Sequence, residues 1–123
     1  MSYGYNVYGL DAIGKPVSLG LGGHRMAIHT QTLAPPVYES EVAVPSDMMA
    51  ISDVFNGGFV FWRDAKMAGT EKAASRHQGN ANVVFCDGHV ESLTLKSLLA
   101  ATNDAALVRW NRDHLPHREK LAP

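Results

Sequence analysis

One cysteine in 123 residues leaves no partner for an internal disulfide, so Cys86 neither staples the fold nor identifies a redox compartment. Excess charge is missing too. Lys and Arg number 11 against 12 Asp and Glu, a net charge of -1 that creates no field favouring nucleic acid or an anionic membrane. No run approaches the roughly 20 apolar residues of a membrane helix. No signal peptide opens the chain, which taken alone reads as soluble. The glycines at Gly20 and Gly22–Gly23 are followed by no Gly-Lys-Ser/Thr, which excludes a phosphate loop. Compact zinc patterns such as His-Glu-x-x-His or Cys-x-x-Cys are absent, as are internal repeats and low-complexity segments.

What is present is an ordinary globular balance, with 46% apolar and 19% charged residues. One small domain covering residues 1–123, with a modest core, fits that length. Eleven glycines and six prolines predict a loop-rich fold with short strands. Ser2 to Tyr8 alternates tyrosines with small residues and reads as a strand, followed by a glycine-rich loop from Gly9 to Gly23. A chain that opens in mid-strand suggests that an upstream segment is missing. Met26 to Thr32 reads as a short strand or irregular segment, and Pro35-Pro36 forces an extended break. Pro45 to Phe55 reads as a strand entered through a Pro-Ser-Asp turn and ending at Asp53, with turn chemistry at Asn56 to Gly58. Lys96 to Ala101 is expected to form a helical turn. Thr102 or Asn103 can cap a second helix reaching about Asn111, with Asp104 in its first turn and Leu107 and Trp110 on one face. Short strands, long loops and a short C-terminal helix make the expected fold class α+β.

The clearest element is "NVVFCDGHVESLTL". Its two β-rich arms meet at Asp87-Gly88, a pair that accepts the positive φ of a two-residue type I′ turn. That turn would place Cys86 opposite His89, Phe85 opposite Val90 and Val84 opposite Glu91, with Val83, Phe85 and Val90 on the core face.

His77, Asp87 and His89 include metal-binding residue types, with Asp53 as a fourth ligand. Zinc would accept the imidazoles and carboxylates, whereas calcium would favour Asp53, Asp87 and carbonyls. The simpler reading needs no cofactor. Asp87 and Gly88 make the turn, His89 starts the return strand, and His77 bonds neighbouring backbone. Cys86 near His77 and His89 suggests a nucleophile and base, but a strand cysteine far from any helix N-terminus reads as a small core residue. No catalytic residue is therefore assigned. Arg109, Arg112, His114, His117, Arg118 and Lys120 make the C-terminus basic, the composition of a solvated face or a subunit contact. Tyr3, Tyr5, Tyr8, Phe59, Phe61 and Trp62 read as core or subunit packing in preference to a ligand cage.

His77 and Asp87-Gly88 also spell H-x9-D-G within "RHQGNANVVFCDGHVE". This frame resembles the C-terminal domain of prepilin-type processing-associated H-X9-DG proteins, a pseudopilin-like family. "SYGYN" (Ser2 to Asn6), "PSDMMAISD" (Pro45 to Asp53) and "RWNRDHLPH" (Arg109 to His117) are similar to further landmarks, in the family's order and across nearly the whole chain. The resemblance implies a pilin-like head, with a small antiparallel β-sheet carrying loops and helical turns, and a non-enzymatic structural role in a type II secretion or type IV pilus-like assembly. The expected partners are other pseudopilin subunits and secretion machinery, with no nucleic acid. The family's leader and long apolar helix, which are absent here, would anchor the full-length form in the inner membrane with the head in the periplasm or at the cell surface. Two alternatives are carried: a metal-dependent hydrolase centred on His77, Asp87 and His89, and a polymer-binding module using surface aromatics.

Overall fold

A computed structural model describes residues 3–10, 19–22, 37–53 and 79–121. Four strands form one antiparallel sheet in sequence order: β1 (Tyr3–Tyr5), β2 (Met49–Asp53), β3 (Asn80–Phe85) and β4 (Val90–Thr94). After β4 come one π-helical turn at Lys96–Ala100, a short helix α1 (Asp104–Leu107) and a 3₁₀ turn at Val108–Trp110. The domain is therefore mixed α+β, the class expected from its sequence. The readings at Met26–Thr32, Pro35-Pro36 and Asn56–Gly58 lie outside the described residues.

Local chemistry accounts for the elements. Pro45 starts a 3₁₀ turn through Asp47 that delivers the chain into β2, because the proline ring presets the required φ. The Asn103 side chain accepts the Ala106 amide and caps α1, and Asp104 sits favourably in its first turn. Leu107 and Trp110 are both buried, so the helical face was correctly legible. They pack with Met49, Ala81, Val83, Phe85, Leu95, Leu98 and Leu99 into the core on one side of the sheet. The first strand stops short of Tyr8. Its pairing stops at Tyr5 because Asn6 turns its side chain inward to serve other backbone groups.

The hairpin differs from its expected form. Val84 faces Val90, Val83 faces Glu91, and Phe85 donates its amide to His89 O at 2.9 Å. Three residues, Cys86, Asp87 and Gly88, thus make the loop. Gly88 has φ +93, whereas Cys86 and Asp87 are not among the positive-φ residues, which excludes a type I′ turn. The physical cause lies in Asp87. Its carboxylate accepts the His89 amide at 3.1 Å, an Asx-type bond that stabilises the wider loop. A one-residue change of register reverses the faces of the returning strand. Val83 and Phe85 are buried as expected, but Val90 is 60% exposed, and Glu91 turns to the core side.

Candidate functional site

Two polar constellations organise the described part of the molecule. The first is buried. Asn6 is fully inaccessible and uses both amide hydrogens, on Met49 O at 2.8 Å and Trp110 O at 3.0 Å, while its Oδ1 accepts the Gly9 amide at 3.1 Å. Its backbone N–H donates to Ala50 O and its carbonyl accepts Leu21 N–H. A β-bulge between Met49 and Ile51 turns two consecutive carbonyls of β2, those of Met49 and Ala50, towards this one residue. Asn111 repeats the device from the other end of the chain, accepting Leu10 N–H at 3.0 Å and donating to Leu115 O at 2.8 Å. Gly9, at φ +62, lies between them. A Cβ there would stand 2.7 Å from Asn111 Oδ1 and 2.9 Å from Trp110 O.

The second constellation crosses the surface from the hairpin tip to the C-terminal segment. His89 stacks on Phe85, centroids 4.5 Å apart and planes 7° from parallel. Its Nδ1 meets Asp87 at 2.5 Å and its Nε2 meets Glu91 at 2.7 Å. Both Glu91 oxygens accept from Arg109 Nη2 at 2.9 Å. Arg109 Nε donates to Asp47 at 2.7 Å, and the guanidinium lies 4.7 Å from the centre of the Phe85 ring. The second Asp47 oxygen meets His114 Nε2 at 2.7 Å. Three elements distant in sequence are thereby joined: the hairpin, the turn before β2, and the end of the helical segment.

The electrostatics follow these contacts. The bonds from Glu91, then Asp87, raise the His89 pKa. The backbone and ring of His89 hold Asp87 below the usual carboxylate range, and His89 and then Arg109 do the same for Glu91. Burial pushes Asp47 upwards, but the bonds from His114 and Arg109 outweigh it and keep that carboxyl low. Burial, reinforced by Asp87, raises the Cys86 thiol, the reverse of what a nucleophile needs.

Of the four candidate ligands, Asp87 and His89 are in direct contact, at the hairpin tip. Asp53 is buried at the end of β2, where its carboxylate accepts the Asn82 amide of β3 at 3.1 Å. His77 lies outside the described residues, as do Phe59, Phe61 and Trp62. Among the described residues, no group of three or more His, Cys, Asp or Glu side chains could hold a metal ion. What Asp87 and His89 do in the described structure is shape a loop and link it, through Glu91, to Arg109.

An open groove of about 490 Å³ runs beside this network. Met49, Leu93, Leu98 and Trp110 line it together with Asp47, Arg109 and His114. Sequence reading missed the roles of Asn6, Asn111, Glu91 and Asp47.

No helix among the described residues is long and apolar enough to cross a membrane. No family model matches the chain, and no curated protein or solved structure matches it.

Proposed function

We propose that this chain is the pilin-like head of a pseudopilin-type subunit, a non-enzymatic structural domain that works by assembly with other subunits and secretion machinery. One observation carries the reading. The polar groups of Asp87 and His89 are spent on the hairpin loop and on its tie through Glu91 to Arg109, the use expected of a folding signature. A small antiparallel sheet with a short C-terminal helical segment suits such a head. The raised pKa of Cys86 supports the same view, since it disfavours a thiolate nucleophile at the hairpin tip. In this reading the head faces the periplasm, and an apolar helix supplied in the full-length form anchors it in the inner membrane before assembly.

The test is to place the chain behind a prepilin leader and apolar helix in bacteria with an active prepilin peptidase and secretion apparatus. Leader removal and head-to-head cross-links in the envelope are the expected results. Cleaved subunits that never cross-link would argue against an assembly role. Hydrolysis of ester, phosphate or peptide substrates that disappears with His89→Ala would replace the reading with the metal-dependent hydrolase.

A further inference from the structure

The side of the sheet facing away from the core carries an apolar row that crosses all four strands in register. Tyr5 of β1 pairs with Ile51 of β2, Ile51 with Val84 of β3, and Val84 with Val90 of β4. Cross-strand partners share a face, and the adjacent row on the opposite side, Gly4, Ser52, Val83 and Glu91, is buried or half-buried. Tyr5 is 42%, Ile51 38% and Val90 60% exposed, with Val84 half-buried between them. No charged side chain interrupts the row. Ordinary sheets place polar residues on a solvated face, so four apolar residues in one row require an explanation.

We propose that this row is a weak self-association surface on which a second copy of the chain packs face to face; the proposal rests on the assembly-head reading and names its lateral contact. The row is uncharged, so a strongly acidic or basic partner would find nothing to pair with. Its size argues in the same direction. The exposed parts of the four side chains amount to roughly 300 Å², the lower end of the largest apolar patch on a typical monomer, a patch that is often functional. Two such faces together bury roughly 600 Å², well under the ~1,200 Å² of a stable stand-alone complex. Such a contact forms only between copies held at high local concentration, which is the situation of subunits joined by another element. Residue sizes set the arrangement. A two-fold axis parallel to the strands puts Tyr5 of one copy over Val90 of the other, and Ile51 over Val84, so the largest side chain meets a small one at each end.

The test is sedimentation of the full chain up to millimolar concentration. Reversible dimerisation is expected, weakened about tenfold or more by Ile51→Lys or Val90→Lys and unchanged by Ser40→Lys, a substitution at an exposed position elsewhere. Melting temperatures report whether each variant remains folded. In a Cys86→Ser background, Tyr5→Cys mixed with Val90→Cys should form an intermolecular disulfide faster than either alone. A chain that stays monomeric at millimolar concentration, or dimerises equally well with Lys at position 51, overturns the proposal. So does a monomeric chain that instead binds an apolar helical peptide through Ile51, which would assign the row to a helix. None of these measurements depends on leader processing or envelope cross-linking, so this inference can fail while the assembly reading stands.

Discussion

The asparagine knot and the hairpin network are both polar, and both tie the C-terminal segment to the sheet, yet their energetics differ. Asn6 and Asn111 are buried and neutral, and they bond backbone groups as far as 104 residues away. His89, Asp87 and Glu91 are partly exposed, ionisable and close in sequence, and solvent screens them. A buried amide that loses its partners cannot turn to water, whereas a surface imidazole can. The difference teaches that the stretch most visible in the sequence is the lighter of the two supports. Variants that strike one region and spare the other should separate them.

The largest effect is expected from Asn6→Ala. It removes three side-chain hydrogen bonds and strands Met49 O, Trp110 O and Gly9 N–H in the interior. With each buried unsatisfied group costing about 1–3 kcal/mol, a loss of about 3–5 kcal/mol is expected, a large share of a small domain's stability. Urea unfolding measures it, and a loss under about 1 kcal/mol would remove the knot from its place in the comparison. Next comes Gly9→Ala, at about 2–3 kcal/mol. There the left-handed backbone penalty adds to a clash with Asn111 Oδ1 and Trp110 O. A stabilised Gly9→Ala protein would show that the two asparagines do not enclose this glycine as described.

These unequal supports explain what could be read from the sequence. Periodicity and capping chemistry identified β2, the β3 and β4 arms, the Asn103 cap and the buried pair Leu107 and Trp110, because those signals are local. The hairpin loop was misjudged by one residue. Asp-Gly suits either a two-residue or a three-residue connection, and the choice was made by the Asp87 bond to His89 and the stacking of His89 on Phe85. That single residue decided which of Val90 and Glu91 faces the core, and so hid both the Arg109 tie and the open apolar row. The asparagine knot was illegible for a different reason. Its partners are backbone carbonyls and amides, which leave no side-chain pattern to find.

Arg109→Met should fall below the knot and above the loop. The methionine keeps much of the aliphatic stem beside Phe85 while removing the donors to Asp47 and Glu91. A loss of about 1–2 kcal/mol is expected, because hydrogen bonds to charged partners exceed neutral ones and the Arg109 side chain is only 22% exposed. Denaturant midpoints of Arg109→Met and Arg109→Lys separate the effects. The lysine variant should recover only part of the loss, since it cannot serve both carboxylates through one planar fork. Full recovery would reduce the tie to simple charge. Gly88→Ala comes next, at about 1 kcal/mol. It shares the positive φ of Gly9, but an added Cβ would meet nothing within 4 Å, so only the backbone penalty applies. The gap between Gly9→Ala and Gly88→Ala is therefore a direct measure of enclosure, and equal losses would contradict the difference drawn between the two regions.

The smallest effect is a pH dependence confined to the hairpin side. Bonds from Glu91 and Asp87 raise the His89 pKa, so the stability its imidazolium contributes is fully present below the ordinary histidine pKa, about 6.5. That contribution is lost as pH rises through the raised folded value. The carboxyls of Asp87 and Glu91 are lowered, so their contribution is present above the ordinary range near 4 and is lost as pH falls through their depressed values. Between these limits the hairpin network is fully charged, and stability should reach a plateau. His117 follows the same upper limb. Burial lowers its pKa, but the bonds to Asp113 and Glu119 outweigh that and leave it raised. His89→Gln should therefore flatten part of the decline on the alkaline side of the plateau, and His89→Gln with His117→Gln more of it, while Asn6→Ala shifts the whole curve down without changing its shape. Melting temperature followed from about pH 5 to about pH 9, at low and high salt, makes the distinction. Salt should shrink the histidine-dependent limb and leave the Asn6 offset intact. A His89→Gln curve parallel to the wild type throughout would mean that the hairpin network shapes the loop without contributing charge-dependent stability.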